Sequence, residues 1–183
     1  MKAFFLDRDG VLIDDSIPYM YRPEDVIVYP FVAEALKRIK AAGYEIFVVT
    51  NQPGISEGKI KASEVESVCG RIDEILLAEG APAPRKYFYC PHMPKDHCSC
   101  RKPEPGLLLQ AAEEFGIDLG KSFMIGDRIS DMQAAEAAGC AKGVHILTGF
   151  GMNVKDEVLP EGYLRAENIA EAVKLLLSQT DNA

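Results

Sequence analysis

Apolar residues fall into two rhythms along this chain. Short apolar-rich runs recur at AFFL (3–6), EIFVVT (45–50), KYFYC (86–90), SFMIGD (122–127) and GVHILT (143–148). Each has the length of a buried strand and is bounded by turn-forming or charged residues. Between the runs, apolar positions return every three or four residues, the spacing of a helix face. Val32, Ala35, Leu36 and Ile39 follow Pro30, which suits the first turn of a helix, and Gly43 suits its end. Ser63-x-x-Glu66 has the form of a capping box. Val65, Val68, Cys69, Ile72, Ile75 and Leu76 then mark one face of a long helix ended by Gly80. Leu108, Ala111, Ala112 and Phe115 mark a third helix, closed by Gly116, and residues 130–138 a fourth, stopped by Gly139. Ile169, Val173, Leu176 and Leu177 mark the last, after which the final four residues are expected to fray. Residues 10–29, with Pro18, Pro23 and several tyrosines, predict loop or a small hairpin.

Buried strands alternating with amphipathic helices predict an α/β fold: a mostly parallel, Rossmann-like sheet covered by helices on both faces. No repeat or linker interrupts the pattern, and 183 residues suit one domain spanning 1–183. In such sheets ligands sit beyond the carboxyl ends of the strands. The polar residues fall there: Asp7 and Asp9 after the first strand, Thr50 and Asn51 after the second, Asp127 after the fourth.

Composition narrows the function. With 28 acidic against 20 basic residues the net charge is −8, which argues against a broad nucleic-acid footprint. No apolar run approaches the ~20 residues that span a bilayer. Met1 leads directly into the first strand with no signal-peptide pattern, so a cytoplasmic location is expected. Three of the five cysteines, Cys90, Cys98 and Cys100, crowd together with His92 and His97. In a reducing compartment that spacing reads as metal binding before disulfides.

The pair Asp7 and Asp9 alone is ambiguous, since two acids one residue apart also occur in turns and solvated edges. The distant partners change its meaning. Mg²⁺ takes carboxylate and carbonyl oxygens, and Asp7, Asp127 and the Asp9 carbonyl could supply them. Thr50 and the backbone N–H groups after it could hold phosphate oxygens, and Lys102 could add a compact positive charge. Such a set performs phosphoryl transfer, where positioning and charge neutralisation do most of the work. Two nearby acids can divide labour: one attacks phosphorus, the other moves a proton to the leaving oxygen and later from water.

LDRDGVLI, VVTN, CRKPEPG and MIGDRISDMQAA resemble the four motifs of the haloacid dehalogenase (HAD) superfamily of phosphatases, across about residues 2–150. The resemblance implies Asp7 as nucleophile forming an aspartyl-phosphate, and Asp9 as general acid/base. It implies Thr50 and Lys102 as phosphate- and charge-stabilising residues, and Asp7, Asp9 and Asp127 as Mg²⁺ ligands. Substrate contacts are expected from Asn51, Gln52, Arg101 and Arg128. Asp131 is either an indirect metal residue or an acid at a helix N-terminus.

DRDGV, TNQPGI and CPHMPKDHCSCRKPEPG resemble the branch that holds heptose 1,7-bisphosphate and histidinol-phosphate phosphatases. That branch carries a zinc loop before the third motif, matched here by Cys90, His92, Cys98 and Cys100, a closed and therefore structural Zn²⁺ set. It also implies a core without a separate cap domain. A standalone chain of this length favours a sugar bisphosphate as substrate, taken by a monomer with neither nucleic acid nor membrane as partner. Glu57 departs from the heptose enzymes, which typically carry a basic residue there, and an acid could instead favour the amine of histidinol phosphate. A receiver-type signalling domain also phosphorylates an aspartate, but on a later strand and without an acid two residues on. A zinc-dependent nucleic-acid binder would need a basic helix that is lacking.

Overall fold

The computed structural model of the chain describes residues 1–180. Residues 181–183, part of the tail expected to fray, lie outside the described residues. Six strands form one sheet: β1 (Ala3–Leu6), β2 (Glu45–Asn51), β3 (Lys86–Cys90), β4 (Phe123–Gly126), β5 (Lys142–Ile146) and β6 (Leu164–Ala166). Their order is β3-β2-β1-β4-β5-β6, and every neighbouring pair is parallel. This is the Rossmann-like arrangement that alternating strands and helices predict. The helices are α1 (Val32–Ala41), α2 (Ala62–Ala78), α3 (Gly106–Phe115), α4 (Ile129–Ala138) and α5 (Ile169–Thr180).

Strand alternation builds two cores. Phe4, Leu6, Ile46, Val48, Ile125 and Ile146 point to one face, where α1, α2 and α5 cover them. Ala3, Phe5, Phe47, Val49 and Met124 point to the other, under α3 and α4. Each fully buried Phe, Leu or Ile contributes about 1.5–3 kcal/mol by leaving water. β1 and β4 lie side by side at the centre, and the chain winds outward from them in opposite directions. Their carboxyl ends therefore flank the crevice where such sheets bind ligands. The Asp7 N–H donates to the Ile125 carbonyl at 3.0 Å, which ties the first motif to the fourth.

Three local readings change. The capping box lies two residues early: the Lys61 N–H donates to the Glu64 carboxylate at 2.6 Å, and the helix begins at Ala62. Pro30 precedes α1 instead of opening it, because the residue flanking that helix is Phe31. β6, with one fully buried residue in three, carries too little pattern to predict. Among the described residues, no helix is long and apolar enough to cross a membrane.

Candidate active site

Asp7, Asp127 and Asp131 converge beyond β1 and β4, with one carboxylate oxygen from each within 4.8 Å of the others. All three are buried. Lys102 comes from the opposite side, and its ammonium meets three acceptors. It lies 3.1 Å from Asp7 Oδ1, 2.5 Å from Asp131 Oδ1 and 2.7 Å from the Val49 carbonyl. Its three protons are thereby used, and its charge is spent on the acids. Asp131 Oδ2 also accepts the Arg128 N–H at 3.0 Å. Asp131 therefore caps α4 and also faces the acidic cluster.

One lysine against three acids leaves negative charge buried. Burial raises the Asp7 carboxyl to about 6; Lys102 opposes this, while Asp131 and Asp9 add to it. Burial, then Asp7 and Asp131, push Asp127 up to about 8 against the Phe150 N–H, which donates to its Oδ2 at 2.7 Å. Asp127 Oδ1 is buried with no hydrogen-bond partner. A buried orphan oxygen beside two more carboxylates is costly unless a cation meets it. The donor set, all hard oxygen, fits Mg²⁺. Gly10 makes room below: its φ is +79°, and a Cβ there would strike the Asp127 carboxylate.

Asp9 stands outside this set of three and has its own partners. Its carboxylate takes the Arg8 guanidinium through Nε (3.2 and 3.1 Å) and Nη2 (3.0 Å), and Gln52 Nε2 at 2.8 Å. Thr50 Oγ1 lies 3.4 Å from Asp9 Oδ2 and accepts from Gln52 Nε2 at 3.0 Å. Asn51 has another task. Its side-chain amide donates to the Lys102 carbonyl at 3.0 Å and accepts the Lys102 N–H at 3.1 Å. Asn51, expected to contact substrate, thus clasps the Lys102 backbone and also lines the cleft over the acids.

A cleft of about 530 Å³ opens over these residues. Asp7, Asp9, Thr50, Gln52, Arg101, Lys102 and Arg128 all reach its wall. Arg101 Nη1 donates to the His92 carbonyl at 3.1 Å, and the Arg128 guanidinium lies 4.4 Å from the centre of the Phe150 ring. At the mouth, Tyr19 donates to Glu57 at 2.9 Å, and Lys59 lies 2.5 Å from Glu57 and 2.8 Å from the Tyr19 hydroxyl. The acid that breaks the sequence pattern is therefore neutralised by its neighbour Lys59. This three-way contact ties the loop after β1 to the loop after β2.

The cysteine cluster closes in the same way. Cys90 Sγ lies 3.6 Å from Cys98 Sγ and 3.0 Å from Cys100 Sγ, and Cys98 and Cys100 are 3.5 Å apart. His92 offers Nδ1, at 3.5 Å from Cys90 and 3.3 Å from Cys100. Four soft donors at such spacing fit a tetrahedral Zn²⁺. His97 is exposed and takes no part in the set.

Arg8 received no role from its sequence position, yet it is among the largest fully buried side chains. The available signal is strand alternation, which points Arg8 to the same face as Phe4 and Leu6. His145, also buried, places Nε2 3.1 Å from the Asp127 carbonyl, and Arg165 Nε donates to its Nδ1 at 3.1 Å. With Nδ1 accepting, Nε2 carries the proton and donates to that carbonyl. Burial and Arg165 both lower the His145 pKa, in keeping with a neutral ring.

A family profile described as HAD-hydrolase-like matches residues 99–172. The D-glycero-β-D-manno-heptose-1,7-bisphosphate 7-phosphatase of Pseudomonas aeruginosa is 38% identical over 176 residues, 96% of this chain and 98% of that one. The enzyme of the same name from Helicobacter pylori is 35% identical over 180 residues, 94% of this chain and 95% of its own. The crystal structure of D,D-heptose 1,7-bisphosphate phosphatase from B. bronchiseptica, complexed with magnesium and phosphate, superposes with a TM-score of 0.89. It is 33% identical, and the match covers 98% of this chain and 99% of that one.

Proposed function

The chain belongs to the HAD-like hydrolases, in the branch of the heptose bisphosphate phosphatases, and from that premise we propose that it removes the 7-phosphate of D-glycero-D-manno-heptose 1,7-bisphosphate. Such a step serves the making of nucleotide-activated heptose for lipopolysaccharide. The observation that carries the reading is the buried trio Asp7, Asp127 and Asp131 around a partnerless oxygen, with Asp9 beside it in the same cleft.

The geometry supports the following roles. An Asp7 carboxylate oxygen attacks phosphorus and carries the phosphoryl group as an acyl phosphate. Lys102, already against Asp7 Oδ1, offsets charge at the nucleophile. Asp9 gives a proton to the leaving sugar oxygen and later takes one from the water that attacks the acyl phosphate. The Thr50 hydroxyl and the N–H groups that follow it receive phosphate oxygens. Asp7, Asp127 and the Asp9 carbonyl would hold Mg²⁺, with Asp131 beside them. When bound, the ion neutralises charge on the transferring group. Cys90, His92, Cys98 and Cys100 would hold Zn²⁺ as a structural ion. It would fix the loop that delivers Arg101 and Lys102, and Arg101 suits the phosphate that stays behind, since its fork matches phosphate geometry. Three metal-directed thiols favour a reducing compartment, which supports the cytoplasm.

The pairing of Glu57 with Lys59 and Tyr19 weakens the alternative of histidinol phosphate, because that acid is not free to receive an amine. The deciding experiment measures phosphate release, with Mg²⁺, from both heptose bisphosphate anomers, histidinol phosphate and simple sugar monophosphates. A heptose bisphosphate should show the highest kcat/KM. A higher value for histidinol phosphate would overturn the assignment.

A further inference from the structure

Arg8 is 1% exposed, and the only carboxylate with which it forms an ion pair among the described residues is Asp9. Its Nη1 is buried with no hydrogen-bond partner. The Cys69 thiol lies alongside: burial raises that thiol to about 11, and the guanidinium pulls against the rise. The nearby Asp73 carboxylate accepts the Tyr87 hydroxyl at 2.7 Å. Packing alone does not account for a guanidinium here. Desolvating it costs several kcal/mol, and a hydrophobic side chain of similar volume would often serve stability as well or better. What an arginine supplies and a methionine cannot is a rigid two-point grip on a carboxylate. That grip meets both Asp9 oxygens, while the Asp9 side chain remains 30% exposed and lines the cleft. Gln52 Nε2 donates to the same carboxylate at 2.8 Å.

We infer that Arg8 is a positioning residue for proton transfer: it anchors Asp9 so that the carboxyl faces the leaving oxygen. The inference rests on the proposed role of Asp9 and adds the residue that makes the role possible. Proton donation matters for a sugar leaving group, whose alkoxide is a strong base. It matters little for p-nitrophenolate, which departs as an anion. Loss of positioning should therefore hurt one substrate far more than the other, whereas loss of folded protein hurts both alike.

The test compares kcat/KM for heptose 1,7-bisphosphate and for p-nitrophenyl phosphate in wild type, Asp9→Asn, Arg8→Met and Arg8→Lys. The ratio of the two values should fall about 10²-fold or more in Asp9→Asn, the usual span of general acid catalysis. It should fall roughly tenfold in Arg8→Met and less in Arg8→Lys, which keeps the charge but loses the fork. If Arg8→Met does not fold, Arg8→Lys carries the same comparison. Parallel loss on both substrates in the Arg8 variants, with the ratio collapsing only in Asp9→Asn, would make Arg8 merely structural and overturn the inference. An unchanged ratio in Asp9→Asn would instead overturn the role of Asp9, and this inference with it.

Discussion

Asp127 and Asp7 are acids held where their charged forms are disfavoured, at about 8 and about 6. The sign of the consequence is fixed. An acid whose folded pKa lies above its unfolded value binds protons more tightly when folded, so stability is highest below the unfolded value and falls as pH rises through the folded one. Metal-free protein should therefore lose thermal stability between about pH 4 and pH 8. In EDTA at pH 8, Asp127→Asn should melt above wild type while losing Mg²⁺-dependent phosphate release; a lower melting temperature would refute the electrostatic account. Asp7→Asn should lower turnover by at least about 10³-fold with the fold retained, as phosphate release and circular dichroism would show. These positions were legible from sequence because strand ends locate them. Arg8 was not, because its partner is its own neighbour and no spacing rule marks such a contact. Asp131 was half legible: a helix-capping acid and a cluster acid look identical until Lys102 is placed.

At the scale of elements, the loops beyond the strands tune a fixed frame. The two-way pairing of Asn51 with the Lys102 backbone links the end of β2 to the loop from β3 to α3. If the proposed zinc set is right, Cys98→Ser should lower bound zinc and kcat together, because Lys102 lies only two residues beyond Cys100, the last cysteine of the cluster. A zinc-free, folded variant with full activity would contradict that coupling. The contact of Tyr19, Glu57 and Lys59 is solvent-facing, so its effect is small. Glu57→Gln should raise KM about two- to fivefold with kcat nearly unchanged, matching the weak worth of exposed pairs. Strands and helices with strong periodicity emerged from sequence with small shifts at their ends. The capping box and β6 did not, because a cap depends on which residue starts the helix, and a three-residue strand has almost no period to read.

For the whole molecule, the strand order brings the carboxyl ends of β1 and β4 together, and with them acids 120 residues apart in the chain, Asp7 and Asp127. This much of the fold was legible, since parallel sheets follow from alternating elements and their ligands from strand ends. The sum of charge at that junction was not, because it depends on which side chains face inward. Asp9 is matched by Arg8, but Asp7, Asp127 and Asp131 share a single Lys102. That deficit dictates a sequence of arrival. A dianion approaching the bare junction would be repelled, whereas a dication is welcomed and reverses the balance for whatever follows. Orthovanadate should therefore show strong inhibition or detectable calorimetric heat only after Mg²⁺ has been added, and equal heat in EDTA would refute such ordering.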